Sequence, residues 1–236
     1  LTTEINQVKE FENNGFIATI KKGSIFDLEL ADSTINLKRE ENETKIKSLL
    51  HTNGKLGFSQ IKSISSLFGL NINFFKDINS TVDLKTNIDF DLDKKFRIKN
   101  LSYSMEGNMA SLELHTEEKR TIRKYLPLYD PKIIFKDTNI KFTQSKSDQF
   151  IELNGLIKLN DQFDSFKIQN KYNSNKKSFD IKGTVDLTNS TINISKLNYK
   201  KKHGKNSELS FHVNFILDKH YYIRDLKFLT DKTKIY

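Results

Sequence analysis

From Thr81 to Asp93 the chain reads TVDLKTNIDFDLD. Val82, Leu84, Ile88, Phe90 and Leu92 fall on one parity, and Asp83, Lys85, Asn87, Asp89, Asp91 and Asp93 on the other. Side chains of a strand point alternately to two faces, so this stretch is a strand with one apolar and one hydrated face. The pattern returns along most of the chain. Phe26, Leu28 and Leu30 alternate, and Ile35 and Leu37 follow across a turn expected at Ala31-Asp32-Ser33. Ile46 to Leu50 continues it, then Leu56 and Phe58 after an expected hairpin turn at Asn53-Gly54. Phe96 to Met105 forms the next strand, with a parity switch between Ile98 and Leu101 that predicts a bulge. Ala110 to Leu114, Lys132 to Gln144, Leu209 to Leu217 and Tyr221 to Leu229 complete the series. Each strand must lay its apolar face against something, and what covers that face decides the function.

Two segments change period. Ile61, Ile64, Leu67 and Phe68 sit at helical spacing, with Ser59 as the expected cap and Gly69 as the stop. Residues 116–128, TEEKRTIRKYLPL, form a second helical candidate, acidic at its start and ended by Pro127. An internal repeat follows. IELNGLIKLND from Ile151 superimposes on FDIKGTVDLTN from Phe179, with Phe166, Ile168 and Tyr172 on a return strand between them. Glycine inside a strand marks a bend or bulge, so Gly155 and Gly183 are expected to curve the sheet at equivalent heights. The turns are built from Asn, Asp, Lys and Ser, at Asn13-Asn14, Asp93-Lys94-Lys95 and Asn173 to Lys176.

Hydrophobic residues make up 36% of the chain and charged ones 29%, which suits a thin sheet with one apolar face better than a thick core. The net charge of +9 comes from lysines scattered on polar parities among acidic residues. This reads as a solvated surface and not as a nucleic-acid interface. The densest basic run is KKKHGK at 200–205. It is expected to be a solvated loop, with Lys200, Lys201, Lys202 and Lys205 as candidate contacts to anionic lipid headgroups. With no cysteine in the chain, thiol catalysis, disulfides and cysteine-ligated metals are excluded. Asp89, Asp91 and Asp93 lack the glycine and glutamate that a calcium loop needs, and His115 has no second histidine at zinc spacing. No nucleophile elbow, phosphate loop or dinucleotide fingerprint is present. The expectation is a protein without catalytic residues, cofactor or metal. Four glycosylation-type triplets, at Asn42, Asn79, Asn189 and Asn193, are what an asparagine-rich chain produces by chance.

Three stretches together carry a resemblance. They are IKSISSLFGLNINFFKDINSTVDLKTNIDF, RKYLPLYDPKIIFKDTNIKFT and IKGTVDLTNSTINISKLNYKKKHGKNSELSFHVNF. A Gly-x-Val-Asp-Leu-Thr strand, an Ile-x-Ile-x-x-Leu-x-Tyr-x-Lys segment, then Gly and a new alternating strand resemble the AsmA-like superfamily over roughly residues 55–236, closest to its YhdP-like branch. Tyr199 stands where that branch often carries Trp, and Lys200 where it carries Lys. The resemblance implies a bridge-like lipid transfer protein, anchored in the inner membrane of a Gram-negative bacterium and extending through the periplasm. Phospholipid acyl chains would pass along its apolar sheet face to the outer membrane. The family defines no catalytic residues at these positions.

The expected fold is therefore all-β: a long, curved antiparallel sheet, a half-pipe of stacked strands, with one or two short helices. Residues 1–236 are expected to form a single AsmA-like segment of a longer protein, whose membrane anchor lies outside it, with a sub-boundary near 116–131. Roughly fifteen strands about 4.8 Å apart would give a conduit of about 70 Å. Val82, Leu84, Ile88, Phe90, Leu92, Ile181, Val185, Leu187, Phe211, Val213 and Phe215 are the expected lining, in contact with phospholipid acyl chains. The alternatives are a structural or adhesive β-sandwich or β-solenoid that packs these faces internally, and a basic surface that binds an acidic polymer.

Overall fold

The computed structural model describes residues 2–11, 15–25, 27–67, 77–115, 130–159, 162–195, 198–216, 220–231 and 234–235. The strands are β1 (Thr2–Phe11), β2 (Gly15–Ile25), β3 (Leu28–Arg39), β4 (Glu43–Leu56), β5 (Asp77–Asp93), β6 (Ile98–His115), β7 (Lys132–Ser145) and β8 (Asp148–Lys158). They continue with β9 (Phe163–Asn173), β10 (Ser178–Asp186), β11 (Ile192–Ile194), β12 (Tyr199–Lys201), β13 (Ser207–Ile216), β14 (His220–Thr230) and β15 (Lys234–Ile235); one helix, α1, spans Phe58–Leu67. Thirteen strands form one sheet in chain order, interrupted only where β11 and β12 pair as a separate hairpin. Every pairing is antiparallel. The sheet is curved and does not close into a barrel. Its twelve inter-strand steps, at about 4.8 Å each, span about 58 Å.

The register carries one apolar face from β5 to β14. One cross-strand row runs Leu84, Gly107, Ile140, Leu153, Ile168, Gly183, Phe211, Leu226. The next continues Gly155, Phe166, Val185, Leu209, Phe228. A slip of one residue at any pairing would turn an entire strand inside out, so the alternation itself fixes the register. On the other face charges alternate across strands, as in Lys85, Glu106, Lys141, Glu152. Such opposite-charge pairs are the favourable cross-strand arrangement.

Several expected turns lie inside strands. Ala31-Asp32-Ser33 is a bulge in β3, where the pairing with β4 shifts between Ala31 and Thr34. Asp32 takes a left-handed φ of 46°, and the buried Ser33 hydroxyl donates to the Ala31 carbonyl at 3.1 Å. The same device recurs in β7. There Asp137 has φ 47°, Thr138 is buried, and its hydroxyl donates to the Lys136 carbonyl at 3.3 Å. LADSTINL and FKDTNIKF are thus two copies of one bulge motif. Asn53-Gly54 is likewise no hairpin but part of β4, where a side chain at Gly54 would meet Leu28 Cδ2 at 3.2 Å. The predicted bulge after Ile98 is present: Asn100 has φ 51° and the β5 pairing shifts between Asp89 and Asp91. Ile98–His115 make one long strand, β6, where the sequence suggested two. The repeat units are β8 and β10, with β9 returning between them. Gly155 and Gly183 stand one row apart and not at equivalent heights, because Gly155 is level with Val185.

The two borders of the sheet differ. Connections from odd to even strands up to β10 are short; where described, they hold two to four residues. The longer excursions leave from even strands, α1 after β4 and the β11–β12 hairpin after β10. Even strands of an antiparallel meander run in one direction, so both excursions sit on the same border. α1 begins with the Ile61 N–H donating to the Gly57 carbonyl at 3.0 Å, so Gly57 and not Ser59 is its cap. Ile61 packs on Leu28, Leu56, Val82, Leu84 and Met109. The hairpin places Ile192, Ile194 and Tyr199 over Ile157, Phe166, Val185, Leu187 and Phe228. The second helical candidate, at 116–128, lies outside the described residues; β6 and β7 on either side of it pair directly.

Candidate functional site

The candidate site is the part of the apolar face that neither cap covers. Ile88, Phe90 and Leu92 on β5, Ile181 on β10, and Val213 and Phe215 on β13 are half-buried there, while Phe211 on β13 stands at its edge, packed against the cluster beneath the hairpin. Val82, Leu84, Val185 and Leu187 share the face but are buried in the two core clusters beneath α1 and the hairpin. They form packed floor under the caps and do not line an open groove. Periodicity does not reveal this division, because it depends on which border each excursion occupies.

Along the open border the lining is aromatic. Tyr172, Phe179 and Phe215 follow one another across β9, β10 and β13, with ring centroids 4.5 and 4.4 Å apart. Tyr103 and Phe142 stack at 5.1 Å. Such contacts add about 0.5–1.5 kcal/mol each beyond the area they bury and hold the rings in place. Amides interrupt this row. The Tyr103 hydroxyl donates to Gln144 Oε1, which also accepts from Gln149 Nε2 at 2.9 Å. Burial pushes the Tyr103 phenol well above its ordinary pKa, so it stays a neutral donor. One row deeper the buried Asn170 Oδ1 has no hydrogen-bond partner among the described residues. An acceptor left so on an apolar face suits a ligand that brings a hydroxyl or N–H of its own.

The basic candidates separate. Lys200, Lys202 and Lys205 are exposed. Lys201 is not: it is only 4% exposed, and its ammonium donates to the Ser190, Thr188 and Lys202 carbonyls at 2.7, 3.1 and 3.3 Å. Burial lowers its pKa, against the pull of the Asp164 and Asp186 charges. Asp164, 2% exposed, holds the same turn from the other side. It accepts from the Asn189 N–H at 2.8 Å and the Ser190 hydroxyl at 2.6 Å. The two charges clamp residues 188–190 between them and fasten the hairpin to β9.

On the polar face a depression of about 510 Å³ lies around Gly107, lined by Asp83, Lys85, Glu106, Lys141 and Glu152. His51 and Asp83 bond at 2.7 Å beside it, and His212 and Asp180 at 2.9 Å farther along. Among the described residues no group of three or more His, Asp or Glu side chains is placed to hold a metal ion. No described helix is long and apolar enough to cross a membrane. Comparison with known protein families, with curated proteins and with solved structures finds no match.

Proposed function

We propose that this chain is a non-catalytic segment of a lipid-transfer conduit, with acyl chains held on the open part of the apolar face. The observation that carries the proposal is the continuity of that face from β5 to β14 in the thirteen-stranded sheet, with only a short helix and a hairpin of two three-residue strands laid on one border among the described residues. No second sheet large enough to make a sandwich is present among the described residues. A large apolar surface left uncovered marks a binding site, and an acyl chain asks for nothing more than apolar contact along its length. The AsmA-like resemblance supplies the setting: the periplasm, an inner-membrane anchor, and phospholipid moving between the two membranes.

The lining acts collectively, which sets the expected mutational pattern. Val213→Ala removes a small fraction of the contact and leaves lipid occupancy within about twofold. Val213→Asp or Phe90→Asp places a carboxylate on the path, where its desolvation opposes passage, and reduces occupancy and vesicle-to-vesicle transfer at least about tenfold. Native mass spectrometry of the purified protein, with a fluorescent-phospholipid transfer assay, reads both. Wild-type protein without bound acyl lipid, or normal transfer by Val213→Asp, would overturn the proposal.

A further inference from the structure

We propose that the tip of the β5–β6 hairpin is a membrane-docking finger, which seats Phe96 and Ile98 in the interfacial layer of an anionic bilayer. Phe96 is 82% exposed, more than any other large apolar residue described, and Ile98 and Leu101 follow at 61% and 40%. Lys94, Lys95, Arg97 and Lys99 surround them, all exposed. Three carboxylates stand nearby: Glu43 opposite Asp93, Asp91 opposite Lys99 and accepting from Asn100 Nδ2 at 2.7 Å, and Asp93 itself, which is turned into the loop. Its Oδ1 accepts from the backbone N–H groups of Lys95 and Arg97 at 2.8 and 3.0 Å, and its Oδ2 from Arg97 Nε at 2.7 Å.

This clamp fixes the turn and, with it, the position of Phe96. The residue sits at φ 58°, a left-handed conformation that bulky side chains rarely adopt. A strained residue held by its surroundings is a mark of function. Here the strain keeps an aromatic ring in solvent where an ordinary turn would carry Gly or Asn. The finger also projects past β7, while on its other side β5 stays paired with β4 out to Asp93 opposite Glu43. β6 pairs with β7 only as far as Ser102 opposite Ser145, so Ile98 to Leu101 overhang that neighbour by about 13 Å of strand. An aromatic and an aliphatic residue ringed by lysines is the composition of a segment that lies in the headgroup layer of anionic membranes. The finger stands on the border opposite α1 and the hairpin, and Ile98 pairs with Leu92, so its apolar residues run on into the open face.

The inference does not depend on lipid moving along that face, and the two readouts separate. The chain has no tryptophan, so Phe96→Trp gives a single reporter at an exposed position. Its emission is expected to shift to shorter wavelength with vesicles of phosphatidylcholine containing about one-quarter phosphatidylglycerol, and much less with phosphatidylcholine alone. Phe96→Ser with Ile98→Ser is expected to lower co-sedimentation with the mixed vesicles at least about tenfold, while the circular-dichroism melt stays in place. Lys94→Glu with Lys95→Glu is expected to abolish the preference for the anionic lipid. Unchanged Trp emission with mixed vesicles, unaltered co-sedimentation of the double serine variant, or equal binding to polyglutamate would overturn the assignment. Vesicle binding through the finger by a protein that carries no lipid would leave this inference standing and remove the conduit.

Discussion

Asp164→Ala is expected to unfasten the β11–β12 hairpin and to lower the free energy of unfolding by about 3–5 kcal/mol. The carboxylate holds two donors of the 188–190 turn, and Lys201 holds two carbonyls of the same turn from the other side. Removing the anion strands the buried Ser190 hydroxyl and the half-buried Asn189 N–H and leaves the Lys201 ammonium without its largest compensating charge. Asp164→Asn keeps the shape and an acceptor and is expected to cost about half as much. Urea unfolding measures both, and a loss below about 1 kcal/mol for Asp164→Ala would show that the clamp does not hold the hairpin. Lys201 adds a pH signature. Its folded pKa lies below the ordinary lysine value, so between the two the unfolded chain binds more protons and stability rises with pH. Lys201→Met is expected to remove that rise.

Gly107→Ala is expected to cost about 3 kcal/mol by a different mechanism, overpacking. The added methyl would stand 2.1 Å from the Asp83 carbonyl oxygen and 2.9 Å from Leu84 Cα. Both obstacles are backbone of the paired strand and move only if the ladder between β5 and β6 opens. Gly183→Ala makes the contrast. Its obstacle is the Phe211 ring at 2.4 Å, which lies across the glycine and can rotate away. That variant is expected to lose about 1 kcal/mol and to displace a groove aromatic. Thermal melts of the two proteins check the order, and equal losses would show that the β5–β6 backbone yields as easily as a side chain.

The fold was legible because one signal, alternation, is written on nearly every strand and tolerates no slip. The errors share a cause. Asp-Ser, Asp-Thr and Asn-Gly favour left-handed or close-approach backbone wherever they stand, and sequence alone does not say whether the chain then reverses or merely bulges. In β3 it bulges, as in β7, and comparing LADSTINL with FKDTNIKF would have exposed the shared device. Lys201 was unreadable for another reason. It lies among exposed lysines, and what buries it is a turn eleven to thirteen residues earlier in the chain. The strand residues expected as lining share one face of the sheet. Their division into capped floor and open groove needed the strand directions, which no periodicity encodes.

The alternation of borders also governs how such a sheet changes length. Because each strand reverses the last, duplicating one hairpin adds two strands, about 10 Å, and returns the chain to the border it left. Every cap downstream keeps its side. Gaining or losing a single strand would throw the later caps across the opening and turn each later strand end for end. A sheet built this way lengthens in steps of two, and its reach is set by counting hairpins.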